Sequence, residues 1–180
     1  GNFTNTENPF DLVIQGKGFF QVRLPTGELA YSRAGNFHLN RDGNIVTSDG
    51  DPLEPQITIP PDALSVTIGA DGTVSYVQPG QTAAQQAGQI QLAIFTNPAG
   101  LSAMGKNLYK ATDASGEPTV ALPGGQEGAG SLLQGFVEQS NVSVVQEFIN
   151  LILSQRSYEA NSRVVQAADE MYQQVNGLVR

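Results

Sequence analysis

Phe37-His38-Leu39-Asn40-Arg41-Asp42-Gly43-Asn44-Ile45-Val46-Thr47 is the stretch that decides the fold. Two short β-prone runs flank an Asp-Gly pair, the strongest short-range signature of a hairpin, here expected as a tight turn with both central residues at positive φ. The same grammar returns at Val66-Thr67-Ile68, Asp71-Gly72 and Val74-Ser75-Tyr76-Val77, and Asp49-Gly50 marks a further turn. Upstream, Leu12-Val13-Ile14 and Phe19-Phe20-Gln21-Val22 read as strands joined by a turn at Gln15-Gly16-Lys17-Gly18. Downstream, Ile90-Gln91-Leu92-Ala93-Ile94-Phe95 is another strand, closed by Asn97-Pro98. Short strands with frequent turns and no helix-period stretch between them predict a compact antiparallel β barrel or sandwich over residues 12–139. Residues 1–11, polar and carrying the turn initiator Asn8-Pro9, read as a lead-in linker. Residues 113–131, rich in Gly and Pro, read as a loop or arm over the surface of that domain.

After Ser140 the pattern changes. From Val142 to Leu178 there is no Pro, and no Gly before Gly177. Ser143 with Gln146 fits a capping box, with Asn141 as a competing N-cap. Apolar residues at Val145, Ile149, Ile152, Val164, Ala168, Met171, Val175 and Leu178 fall at helical spacing, so residues 140–180 are expected to form one long helix, about 55 Å if continuous. The predicted fold class is therefore mainly β with a long C-terminal α-helix that projects from the β domain. Such a stripe needs another helix to cover it, so these eight residues are the candidate assembly interface. Burying six or so of the larger ones contributes on the order of 10 kcal/mol before entropic costs.

Composition narrows the function. The chain has 180 residues, no cysteine, one histidine and a formal charge of −8. Disulfides, thiolate nucleophiles and Cys-ligated metals are excluded, and His38 alone builds neither a catalytic triad nor a multi-His metal site. Residues 1–140 hold 13 acids against 6 bases, while residues 141–180 hold 4 against 3, so the last segment is nearly neutral. No basic patch exists for nucleic acid, and no apolar run approaches the ~20 residues that span a bilayer. No signal peptide is visible, and a start at Gly1 rather than Met reads as a fragment or a processed form.

Local motifs suggest no chemistry. Gly16-Lys17-Gly18 lacks the spacing, the Ser or Thr and the helix of a phosphate loop. Gly124 to Gly130 is no dinucleotide fingerprint, because no strand leads into it. Asp42, Asp49 and Asp51 are close in sequence but lack the pattern of a calcium loop, and read as solvated turn acids. No catalytic, cofactor-binding or metal-binding residue is assigned, and no cofactor is expected.

A longer set of motifs resembles one family. Asn8-Pro9-Phe10-Asp11-Leu12-Val13-Ile14-Gln15-Gly16-Lys17-Gly18-Phe19-Phe20-Gln21-Val22 is similar to the opening motif of the bacterial flagellar rod and hook proteins. Tyr31-Ser32-Arg33-Ala34-Gly35-Asn36-Phe37, Phe95-Thr96-Asn97-Pro98-Ala99-Gly100-Leu101 and Gly105-Lys106-Asn107-Leu108-Tyr109 continue the likeness. So do Gln134-Gly135-Phe136-Val137-Glu138-Gln139-Ser140-Asn141-Val142 and Gln155-Arg156-Ser157-Tyr158-Glu159-Ala160-Asn161-Ser162. The resemblance covers essentially the whole chain and is greatest to the distal rod. It implies a non-enzymatic subunit exported through the flagellar type III apparatus and self-assembled into a hollow, torque-transmitting shaft across the periplasm. Its implied partners are copies of itself and neighbouring rod, hook and ring proteins. The family's N-terminal helix region is not in this sequence. A hook or proximal rod subunit is the alternative within the family; outside it, the alternative is a carbohydrate-binding or carbohydrate-cleaving β domain near peptidoglycan, which calls for an acidic cleft flanked by aromatic rings.

Overall fold

The computed structural model describes residues 2–139. Fifteen short strands follow in order: β1 Phe3–Asn5, β2 Leu12–Gln15, β3 Phe19–Arg23, β4 Leu29–Ser32, β5 His38–Leu39, β6 Ile45–Val46, β7 Ser65–Ile68, β8 Thr73–Val77, β9 Gln85–Gln89, β10 Leu92–Ile94, β11 Ser102–Gly105, β12 Leu108–Lys110, β13 Thr119–Ala121, β14 Ser131–Gln134 and β15 Phe136–Glu138. Every strand pairing is antiparallel. The largest sheet has six strands in the order β11-β12-β4-β3-β10-β13. Three two-stranded ladders (β1-β15, β14-β2 and β5-β6) and the three-stranded β7-β8-β9 accompany it.

Alternation along β3 separates the two faces of the large sheet. Phe20 and Val22 enter the main core with Ile14, Ile45, Ile57, Ile59, Val74 and Leu92, all almost fully buried. Phe19 points the other way, into a smaller cluster around Tyr31, Ala93 and Phe95. There the Tyr31 and Phe95 rings meet edge to face at 4.8 Å, and Phe19 packs on Phe95 at 5.7 Å, the geometry that aromatic quadrupoles favour. Removal from water raises the Tyr31 phenol pKa, with a smaller push from the Glu117 carboxylate.

The turns differ from the sequence expectation in an instructive way. At Asp42-Gly43 the last strand pair is Leu39 with Ile45, Asn40 N–H donates to the Asn44 carbonyl at 3.0 Å, and Gly43 N–H donates back to the Asn40 carbonyl at 3.0 Å. The loop is thus three residues, Arg41-Asp42-Gly43, with only Gly43 at positive φ (84°). This is the form in which a type I turn ends in one left-handed residue. The same pair of bonds closes Ala70-Asp71-Gly72, Ser48-Asp49-Gly50 and Pro25-Thr26-Gly27. One two-residue turn with both centres at positive φ does occur, at Lys106 (54°) and Asn107 (62°) between β11 and β12, without a glycine at either centre.

Four further expectations are corrected. No α-helix occurs among the described residues; their one helical turn is the 3-10 turn Pro98–Gly100. The fold class as described is therefore β alone, and the long helix expected over 140–180, with Val145, Ile149, Ile152, Val164, Ala168, Met171, Val175 and Leu178, lies outside the described residues. Residues 1–11 are more than a linker, since Phe3–Asn5 pairs with Phe136–Glu138. Residues 113–131 are more than an arm, since Thr119–Ala121 adds an edge strand against β10. Finally, β2 and β3 form no hairpin with each other: β2 pairs with β14, and β3 with β4 and β10. The Gly16-Lys17-Gly18 segment is a corner at which the chain changes sheets. In each of these three segments the long-range partner, invisible to local pattern, decides.

Candidate assembly surface

Three of the family motifs, those that hold Asn8, Arg33 with Gly35, and Gln134, meet around β2 where the chain enters the domain. Asn8 Oδ1 accepts from the Phe10 N–H at 3.2 Å, turning the chain into β2. At the following corner the Arg33 guanidinium donates to three carbonyl oxygens: Gly16 at 2.8 Å, Gly18 at 2.8 Å and Ile14 at 3.0 Å. A planar fork with several fixed donors suits that task as an ammonium would not. Arg33 also lies 3.7 Å from Glu138 on the last strand. Gly35 stands against β2 so closely that a Cβ would come within 1.7 Å of the Leu12 carbonyl oxygen.

Gln134 does comparable work from the C-terminal side. Its amide donates to the Pro9 carbonyl at 2.9 Å and the Val66 carbonyl at 3.0 Å, and its Oε1 accepts from the Ile68 N–H at 3.1 Å. A single side chain thus copies the bonding of a strand along the free side of β7 while holding the lead-in segment. Gly135 N–H donates to the Asp11 carbonyl at 2.8 Å, and Thr6 N–H donates to the Gly135 carbonyl at 2.9 Å. With Phe3 opposite Glu138, the first and last strands are neighbours, and both ends of the domain open at one place. Sequence reading found these motifs through resemblance but missed their roles, because the partners of Arg33 and Gln134 lie 15 to 19 and 66 to 125 residues away.

The residues weighed for chemistry stay apart. His38 is exposed on β5, opposite Val46. Asp42 and Asp49 sit in separate turn loops, and no cluster of three or more potential metal ligands exists among the described residues. A cavity of about 380 Å³ lies beside Phe19, Arg33 and Phe95, and no carboxylate lines it. A second of about 250 Å³ holds one acid, Asp49, 3.7 Å from the Lys106 ammonium. Neither offers the pair of carboxylates that glycoside cleavage uses.

Residues 13–76 match the family model of the flagellar hook protein FlgE/F/G D1 domain, and residues 133–178 match that of the flagellar basal body rod FlgEFG protein C-terminal region. The chain is 46% identical to the flagellar basal-body rod protein FlgG of Buchnera aphidicola from Schizaphis graminum, over 99% of this chain and 68% of that protein. It is 50% identical to FlgG of Caulobacter vibrioides over the same shares.

The chain belongs to the flagellar basal-body rod protein family.

Within Caulobacter vibrioides the FlgF rod protein is 34% identical, over 95% of this chain and 66% of that protein, well below the FlgG figure. The chain is a structural subunit of the distal flagellar rod, located in the basal body. The D1 match spans β2 to β8, and the C-terminal match begins at Leu133, beside Gln134 and Gly135. The rod motifs thus include the Arg33 clamp, the Gly35 contact and the Gln134 amide.

Proposed function

We propose that the chain is a non-enzymatic subunit that assembles with copies of itself and with neighbouring rod, hook and ring proteins, with neither nucleic acid nor a bilayer among its partners. In this reading Val145, Ile149, Ile152, Val164, Ala168, Met171, Val175 and Leu178 carry axial contacts between subunits. The observation that supports it most is the pairing of β1 with β15, which makes the domain a body with one opening, from which terminal segments reach neighbours without threading through the fold. The low share of charged residues, 14%, suits dense packing with neighbours, and a single histidine with no cysteine leaves few groups for chemistry.

Electron microscopy of the concentrated full-length rod protein tests the reading, with regular tubes as the expected outcome. Replacing Val164, Met171 and Val175 with Ser is expected to prevent tubes while the β-type circular dichroism and its melting transition persist. Tubes that form undiminished in that variant would remove those residues from the interface.

A further inference from the structure

We propose that adjacent copies of this chain join through the two free edges of the six-stranded sheet, β11 of one copy lying antiparallel against β13 of the next. The proposal rests on the rod reading, which supplies the occupant: a second copy. Strand parity favours this contact. All five pairings within the sheet are antiparallel, so six strands leave the two edge strands, β11 and β13, running in opposite directions. A copy placed alongside in the same orientation therefore presents its β11 antiparallel to the first copy's β13. Such a head-to-tail contact uses two different patches and so can repeat from copy to copy, the property a growing filament needs.

The side chains on the two edges favour it as well. Among the described residues, five large apolar side chains are notably exposed, and three sit here: Met104 on β11 at 46%, Val120 on β13 at 51%, and Leu122 just beyond it at 43%. Neither Ser102–Gly105 nor Thr119–Ala121 contains a charge, the usual device for keeping an exposed edge unpaired. In the antiparallel arrangement Lys106, following β11, falls at the same end as Glu117, preceding β13, so opposite charges meet. Both are exposed, and Lys106 has only a loose ion pair with Asp49 at 3.7 Å. The free run is short, because a bulge interrupts β11 at Met104 and Pro118 and Pro123 bracket β13. That brevity limits indiscriminate stacking and makes the contact an adjunct to other subunit contacts. The two edges of the three-stranded sheet lack these features: Gln134 occupies the side of β7, and β9 (Gln-Gln-Ala-Gly-Gln) exposes no large apolar side chain.

These 180 residues hold no cysteine, so every thiol among them is an introduced one. In the full-length rod protein, Val120→Cys is combined in turn with Ser102→Cys, Ala103→Cys and Met104→Cys, and each variant is assembled and then oxidised. At least one pair is expected to give a ladder of covalent dimers, trimers and longer species, while each single-cysteine variant stays monomeric on a non-reducing gel. Lys106→Glu and Glu117→Lys are each expected to raise the protein concentration needed for assembly about two- to fivefold, with the double exchange restoring it. Tubes that form with no ladder from any pair would overturn the edge contact and leave the rod reading standing. Dimers from a single-cysteine variant would replace it with a two-fold contact, and failure to form either tubes or ladders would overturn both readings together.

Discussion

Gly35→Ala should be among the most damaging single substitutions in the β domain, although it adds one methyl group. The new Cβ would stand 1.7 Å from the Leu12 carbonyl oxygen, 2.7 Å from its carbon and 3.2 Å from the Phe20 ring. Carbon and carbonyl oxygen ordinarily approach no closer than about 3.3 Å, so the two backbones must part by about 1.5 Å. Parting them breaks the bond from the Leu12 N–H to the Gly35 carbonyl, 2.9 Å long, and disturbs the fully buried Leu12 and Phe20. An unsatisfied buried backbone group costs about 1–3 kcal/mol and overpacking costs a similar amount, so a loss of about 3–5 kcal/mol is expected. The assay is urea denaturation of the full chain followed by far-UV circular dichroism, since there is no tryptophan to report. Gly50→Ala is the control: nothing lies within 4 Å of its Cβ, but its φ of +92° disfavours a side chain, which costs about 1–2 kcal/mol. Gly35 has no such positive φ, so its cost is steric alone. If Gly35→Ala costs no more than Gly50→Ala, the close-approach reasoning is wrong.

Other outcomes follow from the same contacts. Arg33→Lys keeps the charge but loses the fork that holds three carbonyls; about 2 kcal/mol of stability should be lost, read as a lower urea midpoint. Gln134→Glu sets a carboxylate against the Pro9 and Val66 carbonyls, so the variant should be clearly destabilised at neutral pH and partly recover in acid as the group protonates and can donate again. The Asp71 carboxylate is held below its ordinary pKa by the Thr73 N–H at 3.0 Å. A depressed acid stabilises the fold above its unfolded pKa and loses that effect as pH falls through the folded one, so Asp71→Asn should flatten the thermal stability profile only at the acid end. Finally, a chain ending at Gln139 should unfold in one cooperative transition, and deleting residues 2–11 from it should lower its midpoint. That deletion removes β1, the Thr6–Gly135 bond and the Pro9–Gln134 bond.

Features that depend on neighbours a few residues apart were legible in the chain before folding was considered. Asp-Gly pairs located three of the turns, Phe19-Phe20-Gln21-Val22 read as a strand, and the absence of cysteine with a single histidine removed whole classes of chemistry. Resemblance marked Arg33, Gly35 and Gln134 as members of motifs. The tertiary structure decided whatever depends on partners far along the chain. It made Phe3–Asn5 a strand by bringing Glu138 beside it, and made Thr119–Ala121 a sheet edge by placing β10 alongside. It also turned Gly16-Lys17-Gly18 from a hairpin turn into a corner held by Arg33. Even the turn type at Asp42-Gly43 belongs to this second group: the residues there fit either loop length, and the strand register chose three residues. The reason is physical: a turn's dihedral preferences are written in its own residues, whereas a β-strand's hydrogen bonds always belong to another segment, which only the folded chain selects.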